Sequence, residues 1–408
     1  MPLPASLAPL RRSAFRSIWA ANTLTALGTW MQNTGAGWLM TDLSPAPVMV
    51  ALVQVASLAP ILLLALPAGA LADRIERRRY LIATQAWMLL VSAALAVLTI
   101  VGHTGPWTLL LFTAGIGIGT AMSNPAWQAT TTELVPREEL AQAIALNGMG
   151  FNGARAIGPA IAGQVLTLAG AWACFALNAV SYVAMIVAFA TWKRAPDPPS
   201  ASRESLIAAI RGGLRYVRAT PPYRRLMARA FLHFLFVAAP MALLPLVVRH
   251  GLNEGPTIFG ILLGAMGAGA VAGGLLQPNF RARFDADARV SICGGAASVS
   301  MLLLALVPHW IAATAAMFLY GSAWILAIAT MQVAAQLTLP NWVRGRALSI
   351  YQMAFFGGLT LGSLAWGGIG DSAGLRPALL AAGIGSALVA LFGRRLSLPR
   401  VDTLLPLA

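Results

Sequence analysis

Arg155 stands near the middle of an otherwise uncharged stretch, Leu140–Leu168. A helix rises about 1.5 Å per residue, so this cation lies roughly 18 Å along the stretch, near the centre of a bilayer. A cation at that depth is a functional candidate, and left unpaired it favours an anionic ligand. None of the 13 acidic residues lies deep within an apolar run, so no neighbouring carboxylate is expected to neutralise it. The alternative is a structural cation, satisfied by carbonyls and water at a helix kink. His233 lies inside another apolar run and titrates near neutral pH, which makes it a candidate proton carrier. Its alternative is a neutral ring held by a backbone carbonyl. Asp42, Asp73 and Glu133, at the ends of runs, are the other groups able to carry protons.

Two stripes of uncharged polar residues recur at helical spacing. Asn22, Thr25, Thr29, Gln32 and Asn33 form one, and Thr120, Asn124, Trp127, Gln128 and Thr131 form the other. Trp324, Met331, Gln332 and Gln336 repeat the second pattern later in the chain. Polar groups avoid lipid when they can line a wet cavity, so these segments are expected to bound a substrate path. Some members are expected to serve only as hydrogen bonds between helices. No nucleophile, base or metal-ligand set clusters, and Cys174 and Cys293 sit apart in apolar stretches, so neither catalysis nor a metal or organic cofactor is expected. Gly115-x-Gly117-x-Gly119 lacks the preceding strand of a nucleotide-binding loop and reads as helix packing.

The elements that carry these residues are membrane spans. The chain is 58% hydrophobic and only 10% charged, against about a quarter charged in soluble domains. Its net charge of +15 lies in loops between apolar runs rather than on one face, which argues against a nucleic-acid partner. Runs of about 20 apolar residues predict about twelve transmembrane helices. The first six are Phe15–Met40, Pro47–Ala70, Tyr80–Val101, Trp107–Thr130, Leu140–Leu168 and Trp172–Trp192. The second six are Arg225–Val248, Thr257–Leu276, Val290–Val307, Trp310–Leu337, Arg344–Ile369 and Leu375–Phe392. With that count, 25 of the 28 basic residues, Arg229 among them, fall on one side. Only Arg249 and Arg376 fall on the other, and Arg155 lies within a helix. Short cytoplasmic loops collect cations, so both termini are expected in the cytoplasm of a bacterial inner-membrane protein.

The halves repeat with an offset of 204 residues, pairing Gly117 with Gly321, Gln128 with Gln332, Gly158 with Gly362 and Gly163 with Gly367. The expected architecture is therefore all-α, with two pseudo-symmetric six-helix bundles at 1–192 and 225–408. Residues 193–224 form a cytoplasmic linker in which a basic amphipathic helix, lying on the lipid or solvated, ends at Pro221-Pro222. A monomer in the bilayer is expected.

Gly69-x-Leu71-Ala-Asp73-Arg74, followed by Arg77, Arg78 and Arg79, resembles the loop between helices 2 and 3 of the major facilitator superfamily. Glu76 stands where that family usually has a second glycine. Gly69 is expected to allow close approach of a helix, Asp73 to cap one from the other half near Arg344–Arg346, and the arginines to hold the loop at the membrane face. Gly158-Pro159-x-x-Ala162-Gly163 resembles the exporter motif of the same superfamily, with Ala162 in place of the first glycine of its closing pair, and Pro159 should leave the Arg155 carbonyl without its helical donor. Gly150, Ala154, Gly158 and Ala162 form a small-residue ridge, and Gly260, Gly264, Ala268 and Ala272 offer a matching one. With Pro125-Ala-Trp127-Gln128, the chain looks like the enterobactin-exporter-like (transmembrane secretion effector) branch. That resemblance implies proton-driven efflux of a small amphipathic or anionic compound, siderophore or drug-like. Import of an anionic metabolite on the same fold, or a lipid-handling role without transport, is the alternative.

Overall fold

The computed structural model describes residues 5–72, 75–192, 215, 217–337, 339 and 344–398. Asp73, Arg74 and most of the linker, including the expected amphipathic helix, lie outside the described residues. Twelve long α-helices occur among those described. They are α1 (Ser13–Leu43), α2 (Pro47–Ala72), α3 (Arg77–Ile100), α4 (Pro106–Leu134), α5 (Leu140–Leu168) and α6 (Ala171–Thr191). The second set is α7 (Pro221–Leu246), α8 (Pro256–Arg283), α9 (Ala286–Leu306), α10 (Trp310–Leu337), α11 (Arg344–Ala373) and α12 (Leu375–Phe392). A π-helical turn, Val247–Gly251, extends α7. Pro221 and Pro222 open α7, as suits prolines in a first turn where no N–H donor is needed.

Ten of the twelve are long and apolar enough to cross a membrane unaided; α1 and α5 are not. These two carry the first polar stripe and Arg155, and each is flanked by other helices, α1 by α5 and α6, and α5 by α1 and α8. Protein contacts thus take the place of lipid for part of their surface.

The packing repeats with the sequence. In the first half α1 packs on α5 and α6, α2 on α4, and α3 on α4 and α6; in the second, α7 packs on α11 and α12, α8 on α10, and α9 on α10 and α12. Gly170 and Gly374, 204 residues apart, both adopt positive φ (92° and 96°) in the turns that open α6 and α12. Only glycine takes that conformation without strain, so the repeat extends to turn geometry. The halves meet through α5 on α8 and α2 on α11.

Glu76 caps α3, its carboxylate accepting from the Arg78 and Arg79 amides at 3.0 and 2.9 Å. This acid at a helix start accounts for its place in the loop. Gly115, Gly117 and Gly119 are packing glycines: a Cβ at Gly117 would lie 2.9 Å from the Ser57 carbonyl of α2, and one at Gly119 2.3 Å from Met88 of α3.

Arg12, just before α1, pairs with Glu139 at the start of α5 at 3.0 Å. The guanidinium holds the Glu139 carboxyl below its ordinary range. A lowered folded pKa stabilises above the unfolded value, and the contribution is lost as pH falls through the folded one. Glu139→Gln is expected to remove a small acid-side slope in melting temperature between about pH 5 and pH 3 while leaving the neutral plateau nearly unchanged. A wild-type slope retained in that variant would assign the acid sensitivity elsewhere.

Candidate functional site

Among the described residues, the contacts between the two halves run from one end of the molecule to its middle. The face bearing the arginine-rich loops is the basic face, and the opposite one the far face. At the far face Arg249, in the π-turn, pairs with the Asp42 carboxylate and donates to Thr41 Oγ1 at 2.7 Å. Its guanidinium also stacks 5.7 Å from the Trp38 ring centre. Trp38 in turn lies 5.7 Å from Phe259 of α8. Thr167 and Thr257 hydroxyls meet at 2.9 Å, again across the halves.

Glycines bring the backbones together at this end. A Cβ at Gly260 would lie 2.5 Å from the Pro159 carbonyl, and one at Gly367 2.4 Å from Ala51. Nearer the middle, a Cβ at Gly267 would lie 2.7 Å from the Arg155 carbonyl, the one freed by Pro159. Toward the basic face no hydrogen bond or ion pair among those described crosses between the halves. Nothing lies within 4 Å of the Cβ positions of Gly69, Gly148, Gly153 or Gly274. Every described ion pair at the basic face stays within one half.

The small-residue ridge of α5 needs correction. Gly150 and Gly158 face α1, where added Cβ atoms would lie 2.5 Å from Thr23 and 2.9 Å from Trp30. The face toward α8 is instead Ala156, Pro159, Ala160 and Gly163. Because α5 is wedged between two helices, it is small on two faces, and the sequence pattern alone marked only one.

Arg155 sits at the inner end of the contacts between the halves. It is 7% exposed, and its Nε is buried without a hydrogen-bond partner. Its guanidinium carbon lies 5.7 Å from the ring centre of Trp30 on α1 and 5.8 Å from that of Trp324 on α10. One cation is thus shared by an indole from each half. Phe151, one turn earlier on α5, lies 6.5 Å from Trp30.

The first polar stripe divides. Gln32 Oε1 accepts from Ser92 and from Asn178, both at 2.6 Å, and Thr25 donates to the Ser181 carbonyl at 3.1 Å. Thr29 donates to the Thr25 carbonyl at 2.8 Å. Gln32 and Thr25 therefore bind α1 to α3 and α6 inside the bundle. Asn22 and Asn33, three turns apart and so on one face, lie at the edge away from those bonds; Asn22 is half-buried and Asn33 exposed. On α4, Asn124 and Gln128 are exposed and Trp127 half-buried, and Gln332 on α10 is half-buried.

His233 is buried on α7, one turn after Arg229 and hence on nearly the same side. Its ring lies edge-on to Phe234, 5.1 Å between centres. Arg229, assigned by sequence to the water side, is fully buried. It pairs with the Asp287 carboxylate on α9 and donates to the Asp287 carbonyl at 3.0 Å and Ser291 Oγ at 3.1 Å. The Leu398 amide donates to the same carboxylate at 2.9 Å. Opposite charges near the starts of two apolar runs were the available signal.

In the first half, Arg78 donates to the Phe189 carbonyl at 2.9 Å and to that of Ala190, at the C-terminal end of α6, where a cation suits the helix dipole. Arg77 pairs with Glu133 at the end of α4. These two arginines thus brace the first bundle, α3 to α6 and α3 to α4.

Two bundles related by a repeat, joined from one face to a central cation, define a membrane carrier. The chain belongs to the transmembrane secretion effector family of major facilitator transporters, whose sequence profile matches residues 4–407. It is a multi-pass membrane protein and not an enzyme. It is 28% identical over 264 residues to the staphyloferrin A transporter of Staphylococcus aureus, covering 64% of this chain and 66%, just under two thirds, of that relative. It is 26% identical over 308 residues to the enterobactin exporter EntS of Salmonella typhi, covering 74% and 72%. Its fold is similar to that of a bacterial homologue of the human lysosomal transporter Spinster in an inward-facing, unoccupied conformation, with a TM-score of 0.74 at 15% identity over 100% and 99% of the chains.

Proposed function

We propose that the chain exports a small amphipathic or anionic compound across the inner membrane by alternating access, with protons returning in exchange. The observation that carries this reading is that the described contacts between the halves lie at the far face and around Arg155, the one described charged side chain buried deep in a helix between the halves. Arginine-rich loops gather on the cytoplasmic side, so the basic face with both termini is read as cytoplasmic and as the side open to the cytosol. The Gly158-Pro159 motif and the enterobactin-exporting relative support the outward direction. For proton movement, His233 is the buried imidazole inside a span; Asp42 and Glu133 are held by Arg249 and Arg77 in this conformation.

The test uses proteoliposomes holding purified protein under an imposed inside-acid gradient, with salicylate, 1-naphthoate, ethidium and rhodamine 6G as probes. At least one probe is expected to accumulate inside and to leave when the gradient is collapsed. His233→Gln should keep counterflow of that probe but lose its dependence on the gradient. Movement insensitive to the gradient in the wild type would leave a uniporter. No movement of any probe would remove the transport reading for these chemical classes.

A further inference from the structure

Arg155 is a buried cation with an unused donor, held in a setting made almost entirely of rings. Around Trp30 and Phe151 from the first half stand Trp324, Tyr320, Phe234 and Phe355 from the second. Trp324 lies 5.9 Å from Tyr320 and 5.8 Å from Phe234, and Phe234 lies 4.4 Å from Phe355. The Tyr320 hydroxyl is already committed to the Val237 carbonyl. The described carboxylates all sit at helix ends or in loops, and Asp42, Glu76, Glu133, Glu139 and Asp287 are each paired with an arginine.

We propose that Arg155, Trp30 and Trp324 form the recognition site for the transported compound, and that its ligands are aromatic monoanions: one carboxylate carried on a flat ring. Three observations fix the class. A buried guanidinium with an empty Nε lacks an acceptor, and a carboxylate supplies one in a planar, charge-assisted pair. A single cation neutralises a single negative charge, and a second anionic group would be desolvated without a partner. The surrounding rings favour a flat π-faced body over an aliphatic one. Trp30 and Trp324 belong to different halves, so a ligand that takes hold of Arg155 there touches both at once. Its physiological meaning rests on the transport reading above.

The experiment is equilibrium binding of 1-naphthoate, 1-naphthamide and cyclohexanecarboxylate to the purified full-length chain in lipid nanodiscs. A charge-assisted pair predicts that the acid binds at least about tenfold more tightly than the neutral amide. Naphthoate should also exceed cyclohexanecarboxylate. Arg155→Lys should narrow the acid-over-amide ratio and Arg155→Gln erase it, whereas Trp324→Leu should weaken acid and amide together. Equal binding of acid and amide by the wild type overturns the site, as does a ratio preserved in Arg155→Gln, or no saturable naphthoate binding. If Arg155→Gln does not fold, the wild-type ligand comparison and Arg155→Lys still decide. Proteoliposomes that move ethidium or rhodamine 6G while binding remains blind to the acid would overturn the site and leave export standing. Acid-selective binding with no transport of any probe would do the reverse.

Discussion

Asp287→Ala is expected to cost roughly 3–5 kcal/mol of stability, because it strands a buried cation. Arg229 is fully buried, and the carboxylate in direct contact with it is that of Asp287, with Asp285 adding a weaker attraction. Ser291 and the Asp287 carbonyl accept its hydrogen bonds but bring no charge, and its Nε already lacks a partner. Removing the carboxylate also takes the acceptor from the Leu398 amide. The expected result is loss of the monodisperse peak in size-exclusion chromatography, or a sharply lowered melting temperature. Arg229→Met combined with Asp287→Leu should recover part of the loss, because the buried charge goes while the Leu398 amide stays without its acceptor. A single variant that melts like the wild type would mean that the pair does not hold the second bundle together.

Joining the far face covalently should stop transport altogether. In a background lacking Cys174 and Cys293, which are free and buried, Thr167→Cys and Thr257→Cys place two thiols where hydroxyls now meet at 2.9 Å. Disulfide formation needs only a small further approach from such a contact. Oxidation is expected to bring probe movement to the level of empty liposomes, and reduction to restore it, while each single-cysteine variant stays active in both conditions. Full transport with the cross-link quantitatively formed would show that the far face need not open, and alternating access would fall.

Much of the architecture was legible in the sequence because charge and hydrocarbon do not mix. Charged residues, prolines and glycines bound the apolar runs closely enough that α5, α10 and α12 have the expected limits. The 204-residue repeat was legible as well, and Gly170 and Gly374 carry it into backbone dihedral angles. Two things were hidden. Gly150, Ala154, Gly158 and Ala162 gave a clear small-residue period, but a helix contacted on two sides satisfies two such periods, and only packing decides which neighbour meets which. The site around Arg155 was half visible: its depth and its missing carboxylate followed from spacing. Trp324 was marked by the repeat of the second stripe, but Trp30 belongs to no such pattern, and the two rings come together at Arg155 only when the halves associate. Gln32 and Thr25 looked like cavity residues because a hydrogen-bonding side chain avoids lipid equally well in a pore or between helices.

The tie between Leu398 and Asp287 also bears on the order in which the protein is made. Leu398 follows α12, so the carboxylate that holds Arg229 receives this backbone donor only after the last helix has been synthesised and packed. Until then Arg229 and Asp287 face each other in an unfinished bundle. The first half has a parallel dependence, since Arg78 finds its acceptors only at the end of α6, the last helix of that half, but those acceptors are made long before Leu398. Domains made first tend to fold first. The N-terminal bundle is therefore positioned to finish early and serve as a surface for the other, and the vulnerable interval in biosynthesis falls between the appearance of Arg229 and that of Leu398.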